Sequence, residues 1–509
     1  MRKQFLVTIG SVLSGRTSSY FVIIVFTVIT FYPALNRLPV DDQIWYLAEL
    51  DGATSLWDGL ALTDYALSRS FFKGDELLYR PFLFAWLAAA NSVFSYHYEH
   101  WNLGNLVLHV LLVISLFELL RTISPSQFAL PFALIFSVSP TVVELVLFPH
   151  LGGYIIGFLL LAVALRYSLT LTSPSGVISY RTLSLVVALL SLSAMFYEYL
   201  VIAPIFIAGY LVFACRNGSR QKLLLFSVGF APVIIYSIAY LPHFFQATDL
   251  LFVHGTSENR LGLYNIIAAP FGSAKATIRW AVEFFLPTTL TFQIQPFHRF
   301  GKLFDAPYFL PAFALNIVIS VGILGLTIHR VIFSLRWNTI MLFGLLTSLL
   351  LGYSFMIVLG RGYAEARGIA YYQYLPCLLL TVSAYSLLVG PSHGRLYGWL
   401  LSGLIGSLLA INFSVTSALV RDIKRVNEAP HHFFQQLVNF VDQNKTMPGF
   451  SFQMVDNTGG KFNPDVTLVI GYPDDPASRA NTLPLAAILF RKYLSKENPT
   501  HKLVIRSGQ

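Results

Sequence analysis

The chain has 509 residues, of which 55% are hydrophobic and 12% charged, with a mean hydropathy of +0.63. A soluble domain carries about 25% charged residues, so an ordinary soluble fold is excluded and a polytopic helix bundle in lipid is expected. The formal net charge of +9 does not point to a nucleic-acid partner, because much of the positive charge lies in short loops between apolar runs, where it sets topology.

A crossing needs about 20 apolar residues. On that measure, membrane helices are predicted at 18–36, 102–121, 127–147, 151–170, 182–200, 201–216, 223–241, 308–330, 338–359, 369–390 and 396–418. The runs are long and continuous, unlike the short alternating segments of a β-barrel. The basic start Met1-Arg-Lys-Gln and the run after it read as a retained anchor, since no cleavage site follows. Arg16, Arg121, Arg166, Arg181, Arg216, Arg220, Lys222, Arg330, Arg336 and Arg395 all fall on one face of an eleven-helix arrangement. That face is therefore expected to be cytoplasmic, with the N-terminus. The opposite face holds the first external loop at 37–101, the loops at 242–307 and 361–368, and the C-terminal segment.

Three stretches are too short or too polar to cross. Residues 82–95 and 278–296 read as interfacial or re-entrant helices, and 54–69 as a helix along the membrane surface. From 421 the chain turns polar. Val466–Ile470 and 502–506 read as strands, and Leu485–Tyr493 as a helix following Pro484. The expected fold class is an all-α polytopic membrane bundle of about 11 transmembrane helices over 1–420, with a small extracytoplasmic α/β domain at 421–509. Cys215 and Cys377 lie in or beside apolar segments, which supports neither a disulfide framework nor a Cys/His metal site.

Several polar groups fall on the outer face. Asp41-Asp42 follow the first crossing. They read either as solvated loop acids or as a carboxylate base with its partner, since a carboxylate near a low-dielectric boundary can be raised toward a useful pKa. A divalent metal between them fits the chemistry, although the metal question stays open. Tyr79-Arg80-Pro81 reads as a helix start, or as a phosphate ligand through the planar fork of Arg80. Asn102, Asn105 and His109 share a helix face by their spacing of three and four. They suit either helix–helix hydrogen bonding or a cavity lining. Arg361, Glu365 and Arg367 lie against the orientation rule, which calls for a local reason such as an anionic phosphate or a Glu365–arginine pair. Glu144, His150 and Glu198 fall at outer helix ends, where they read either as solvated helix-end groups or as a lining of the same cavity.

Taken together, Asp41-Asp42, Tyr79-Arg80-Pro81, Asn102-Leu-Gly-Asn-Leu-Val-Leu-His109 and Arg367 with Tyr372-Gln-Tyr-Leu-Pro376 resemble the GT-C superfamily of integral-membrane glycosyltransferases. The likeness is to the branch of protein O-mannosyltransferases and transmembrane TPR-bearing O-mannosyltransferases, though no TPR array follows here. The resemblance implies a polyprenyl-phosphate sugar donor and a glycan, lipid or protein acceptor. It implies transfer with inversion at the outer surface of a membrane, here expected to be a bacterial inner membrane. It implies Asp41 or Asp42 as base, and Arg80, Arg361 and Arg367 as donor-phosphate ligands. A lipid-linked glycan ligase or polymerase with a pyrophosphate donor is a second reading. A lipid-linked sugar transporter or flippase is a third, which predicts inverted repeats and broken helices, and a membrane scaffold a fourth.

Overall fold

A computed structural model describes residues 15–39, 55–61, 80–95, 97–171, 179–214, 218–253, 263–285, 309–334, 337–368, 370–389, 395–444, 452–455 and 503–506. The first half runs α1 (Arg16–Phe31), α2 (Pro81–Phe94), α3 (Tyr98–Ile123), α4 (Ala129–Ser137), α5 (Val143–Leu147), α6 (Gly152–Leu171) and α7 (Tyr180–Phe196). The second half runs α8 (Ala203–Ala214), α9 (Ser219–Val253), α10 (Leu263–Phe285), α11 (Phe309–Ser334), α12 (Trp337–Gly368), α13 (Tyr374–Leu388) and α14 (Arg395–Asn444). A parallel strand pair, β1 (Phe452–Val455) and β2 (Leu503–Arg506), sets Phe452 opposite Leu503.

Among the described residues, six helical segments are long and apolar enough to cross a membrane: Arg16–Ala34, Tyr98–Ile123, Pro149–Leu171, Gln221–Leu241, Trp337–Leu359 and Leu396–Glu428. A seventh arises if Ala129–Ser137 and Pro140–Leu147, bent by 50°, count as one broken span. The count of about 11 is therefore not supported. The stretches expected to cross at 182–200, 201–216 and 369–390 overlap the shorter apolar helices Tyr180–Phe196, Glu198–Ala214 and Tyr374–Leu388, whereas 308–330 is covered from Phe309 onward by α11, a continuous helix of 26 residues. Hydropathy counts apolar residues, but breaks shorten the helix they build. A helix of 15 residues spans roughly 22 Å, less than the bilayer core of about 30 Å. Outward-facing apolar side chains such as Phe21, Ile29, Phe213, Ile238, Val321 and Ile328 are exposed along the bundle, which suits hydrocarbon rather than water.

Local chemistry explains the ends. Ser179 caps α7 through its hydroxyl, which accepts from the Thr182 amide at 3.3 Å. Pro140 and Pro149 each open a single 3-10 turn that separates α4, α5 and α6, because proline has no N–H and obstructs the preceding turn. Pro81 occupies the first turn of α2, where its fixed φ is suited to helix.

The described residues of two expected outer loops are helical. α9 continues past 241 to Val253, and α10 occupies much of the stretch expected as the 242–307 loop. Residues 361–368 are the last turns of α12. The helices accommodate the residues that would most readily break them, Pro242 within α9, Pro270 within α10 and Gly362 within α12. The short helix at 56–61 falls inside the expected surface helix and exposes Leu56 and Trp57.

At 421, where the composition changes, the chain continues as helix α14. β2 falls where a last strand is expected, whereas 466–470 and 485–493 lie outside the described residues. One pair of four-residue strands does not establish an α/β domain.

Candidate functional site

Arg80 is the N-cap of α2 and is buried. Its Nε and Nη2 donate to the two carboxylate oxygens of Glu198, and its Nη1 donates to the hydroxyl of Tyr154. The guanidinium carbon lies 5.2 Å from the ring centre of Tyr154 and 5.3 Å from that of Tyr197, within reach of cation–π attraction. Glu198 is also buried. It opens the 3-10 turn Glu198–Ile202, after the helix breaks at Tyr197, whose backbone is extended. Two full charges out of water persist only when geometry and hydrogen bonds compensate them, and the planar fork of arginine supplies that geometry.

The pair sits at the edge of a ring cluster that sequence reasoning missed. Tyr197 contacts Tyr154 at 4.6 Å, Tyr199 at 5.2 Å and Phe158 at 5.7 Å between ring centres. Tyr199 in turn reaches Tyr372 at 6.4 Å and Tyr353 at 6.5 Å, and Trp280 of α10 lies 6.3 Å from Tyr353. The cluster links Arg80 to Tyr372 through two tyrosines. Beside Tyr372, Gln373 is 2% exposed, and neither its amide oxygen nor its amide nitrogen has a hydrogen-bond partner among the described residues.

The polar face of α3 is committed to packing. Asn102 Nδ2 donates to the carbonyls of Leu35 at 2.8 Å and Arg37 at 2.9 Å. Asn105 Nδ2 donates to the carbonyls of Phe148 at 2.7 Å and Leu145 at 3.3 Å. His109 meets the Ser137 carbonyl through Nε2 at 3.1 Å and the Tyr374 hydroxyl through Nδ1 at 2.6 Å. A carbonyl can only accept, so Nε2 carries the proton and Tyr374 donates to Nδ1. Each of these residues satisfies carbonyls freed where a neighbouring helix ends or breaks, which is how irregular backbone survives at membrane depth. The packing reading of Asn102, Asn105 and His109 is the one the geometry supports.

Other contacts draw the outer ends together. Arg37 lies over the ring of Phe148 at 4.0 Å, and Phe148 stacks on His150 at 6.4 Å. Arg80 is close enough to His150 to act on it electrostatically. α5, which carries the buried Glu144, packs against the Ala370–Gln373 turn. Gly152 explains the Gly-Gly after His150: a Cβ there would stand 2.4 Å from Asn105 Oδ1 and 2.8 Å from Trp86 Nε1. From the far end of the chain, Asn427 of α14 accepts from the Leu38 amide at 3.0 Å and donates to the Asn36 carbonyl at 2.9 Å.

Arg80, Glu144, His150, Glu198 and Tyr372 thus gather at one end of the bundle, with Asn102 and Asn105 bracing it. Asp41, Asp42 and Tyr79 lie outside the described residues. Arg361 and Arg367 are placed on the backbone of α12 only. Of the missed residues, Gln373 falls inside a motif already singled out. Asn427 gives no local signal, because its partners lie 389 and 391 residues away. No protein-family model matches the chain, and no curated protein matches it.

Proposed function

We propose that the chain is an integral-membrane glycosyltransferase of GT-C type. In this reading it moves a sugar from a polyprenyl-phosphate donor to an acceptor hydroxyl on the extracytoplasmic side. The observation that carries the reading is the gathering of Arg80, Glu198, Tyr154, His150, Glu144 and Gln373 around helix breaks at one end of a lipid-compatible bundle. Ionisable groups at membrane depth are costly and point to a charged substrate by default.

Asp41 or Asp42 accepts the proton of the acceptor hydroxyl as its oxygen attacks the anomeric carbon. The bond from that carbon to the phosphate oxygen breaks, the configuration inverts, and the lipid phosphate leaves with the electron pair. Glu198 already balances the charge of Arg80, so the net positive charge for the phosphate is assigned mainly to Arg361 and Arg367, with Arg80 as the third ligand. Electrostatic stabilisation of the leaving group supplies the main acceleration. The Gln373 amide, which has no partner among the described residues, suits the hydroxyls of the sugar, because it offers both a donor and an acceptor. The acceptor is a glycan, a lipid or a protein. The orientation proposed has a cytoplasmic N-terminus and an extracytoplasmic C-terminal segment in a bacterial inner membrane.

The bent α4–α5 pair favours a transporter, since broken helices mark transport sites. Its freed groups are already occupied, however: the Ser137 carbonyl by His109 at 3.1 Å and the Val138 carbonyl by Thr416 at 2.7 Å. A break stitched by neighbouring helices leaves those groups with nothing to offer a substrate.

The test is sugar transfer by the purified protein in proteoliposomes, with matched polyprenyl-phosphate and polyprenyl-pyrophosphate donors and a flipping assay in parallel. The expected result is transfer from the monophosphate donor that is lost in Asp41→Asn or Asp42→Asn. Full transfer by both variants removes the base assignment. Transfer from the pyrophosphate donor alone indicates a ligase or polymerase, and donor flipping without transfer indicates a transporter.

A further inference from the structure

We propose that His97, Glu99 and His100 form a binding site for a first-row transition-metal dication, best matched by Zn2+. The three side chains each offer a ligand atom, and these atoms all lie within 4.8 Å of one another. His97 Nδ1 and a Glu99 carboxylate oxygen are 3.5 Å apart, and the rings of His97 and His100 lie 5.4 Å apart. Zinc ligands at about 2.0–2.2 Å from the ion stand roughly 3.3 Å from each other in a tetrahedron. Small side-chain rotations close the set, and the exposed His100 leaves the fourth position open to water.

The backbone that carries the set is fixed. α2 ends at Phe94 and α3 begins at Tyr98. In the link between them, Ser95 holds a φ of 48°, the one positive value among the described non-glycine residues. The Trp101 indole donates to the Ser95 carbonyl at 2.9 Å, the His97 amide to the Phe94 carbonyl at 2.9 Å, and the His100 amide to the His97 carbonyl at 2.9 Å. These bonds set His97 and His100 one turn apart on the same side, with Glu99 between them. The start of α3 is the positive end of a helix dipole, which by itself repels a cation, and Glu99 offsets it.

Donor chemistry selects the ion. Two imidazoles and one carboxylate favour zinc and its first-row neighbours, whereas Mg2+ and Ca2+ favour all-oxygen sets. His431 on α14 is near enough to Glu99 for their charges to interact. The proposal does not depend on which reaction the bundle performs.

The experiment uses the full-length protein in detergent, stripped with a chelator and titrated with Zn2+ alone. Bound metal is measured after gel filtration, and Co2+ substitution is read by visible absorption. One Zn2+ per chain is expected, with the intense absorption of tetrahedral Co2+, and excess Mg2+ is expected to leave it in place. His100→Ala and Glu99→Gln are expected to lose the metal and the absorption while keeping the helical circular dichroism. His329→Ala, at a histidine beside Tyr397, is expected to retain both. Equal retention in wild type, His100→Ala and Glu99→Gln overturns the proposal, as does a wild-type protein that retains no zinc. Equal loss in His329→Ala also overturns it.

Discussion

The two ends of the bundle each bury a glutamate against arginine, and they do so on different terms. Both lie along α3, where Asn102 and Glu118 mark levels roughly 24 Å apart. At one end, Arg80 and Glu198 have side chains only 4% and 7% exposed. At the other, Glu118 is 7% exposed, but its partners Arg16 and Arg166 are 62% and 38% exposed. Arg166 approaches Glu118 to 3.1 Å and Arg16 to 3.7 Å, while Tyr20 donates to it at 2.7 Å. At the Glu118 end the long arginine stems reach toward solvent, so the charges keep much of their hydration. At the Arg80 end neither partner does. Surface-reaching pairs contribute little to stability. A pair buried on both sides is costly to assemble and more costly to break. The Glu118 end thus reads as orientation and anchoring, and the Arg80 end as a site.

The largest effect separating the two ends is expected from Glu198→Ala. It leaves a guanidinium buried without its carboxylate, which costs about 3–5 kcal/mol. Thermal unfolding in detergent is expected to show a large fall in Tm. The double variant Arg80→Met with Glu198→Leu is expected to recover most of that loss, because hydrophobic replacement of a buried pair is often neutral, while sugar transfer stays abolished. Recovery of transfer along with stability would make the pair purely structural.

Asn427→Ala comes next. It withdraws one acceptor and one donor from the stem of the first loop, and buried backbone groups left unsatisfied cost about 1–3 kcal/mol. The same stem is held from α3 by Asn102, so Asn102→Ala with Asn427→Ala is expected to be more than additive. In labelling experiments, the loop that follows Leu38 is expected to become more accessible. An unchanged labelling rate would separate α14 from the loop it touches.

How much of this was legible in the chain depends on the range of the contact. The Asn102, Asn105 and His109 face could be read from spacing alone, and Pro81, Pro140 and Pro149 announced local starts. The partner of Arg80 could not be read, because Glu198 lies 118 residues away and follows a break at Tyr197 that no proline or glycine marks. The tyrosine cluster was hidden for a related reason. Among 26 tyrosines in a chain that is 55% hydrophobic, those that meet in space carry no distinguishing pattern. Arg330 shows the opposite error. Expected as a topology-setting loop charge, it is buried and donates to the Leu387 carbonyl at 2.9 Å, capping the end of α13. Charge in sequence indicates a side of the membrane, while burial decides whether the same residue also does structural work.

Gln373→Leu tests the outer end without breaking it. Removing an amide that has no partner among the described residues costs no hydrogen bond, and apolar replacement of such a group is close to neutral or stabilising. Tm is therefore expected to hold or rise. Sugar transfer is expected to fall about tenfold or more, because a sugar hydroxyl loses its partner, worth about 1.5 kcal/mol in the transition state. A variant with unchanged transfer kinetics would remove Gln373 from the site.

The smallest effect is expected at the Glu118 end, and it sharpens the contrast most. Glu118→Gln keeps a hydrogen-bond acceptor for Tyr20 and removes only the negative charge. Its arginine partners are partly solvated, so the loss is expected to be about 1 kcal/mol or less. Raising the salt concentration should erase most of the difference between wild type and this variant, since exposed charges are screened within about 10 Å at 0.1 M. The same change in salt should leave the deficit of Glu198→Ala intact, because water and counterions do not reach that pair. If Glu118→Gln proves as costly as Glu198→Ala and equally indifferent to salt, both ends are desolvated alike. Burial would then no longer single out the Arg80 end as the place where a charged substrate binds.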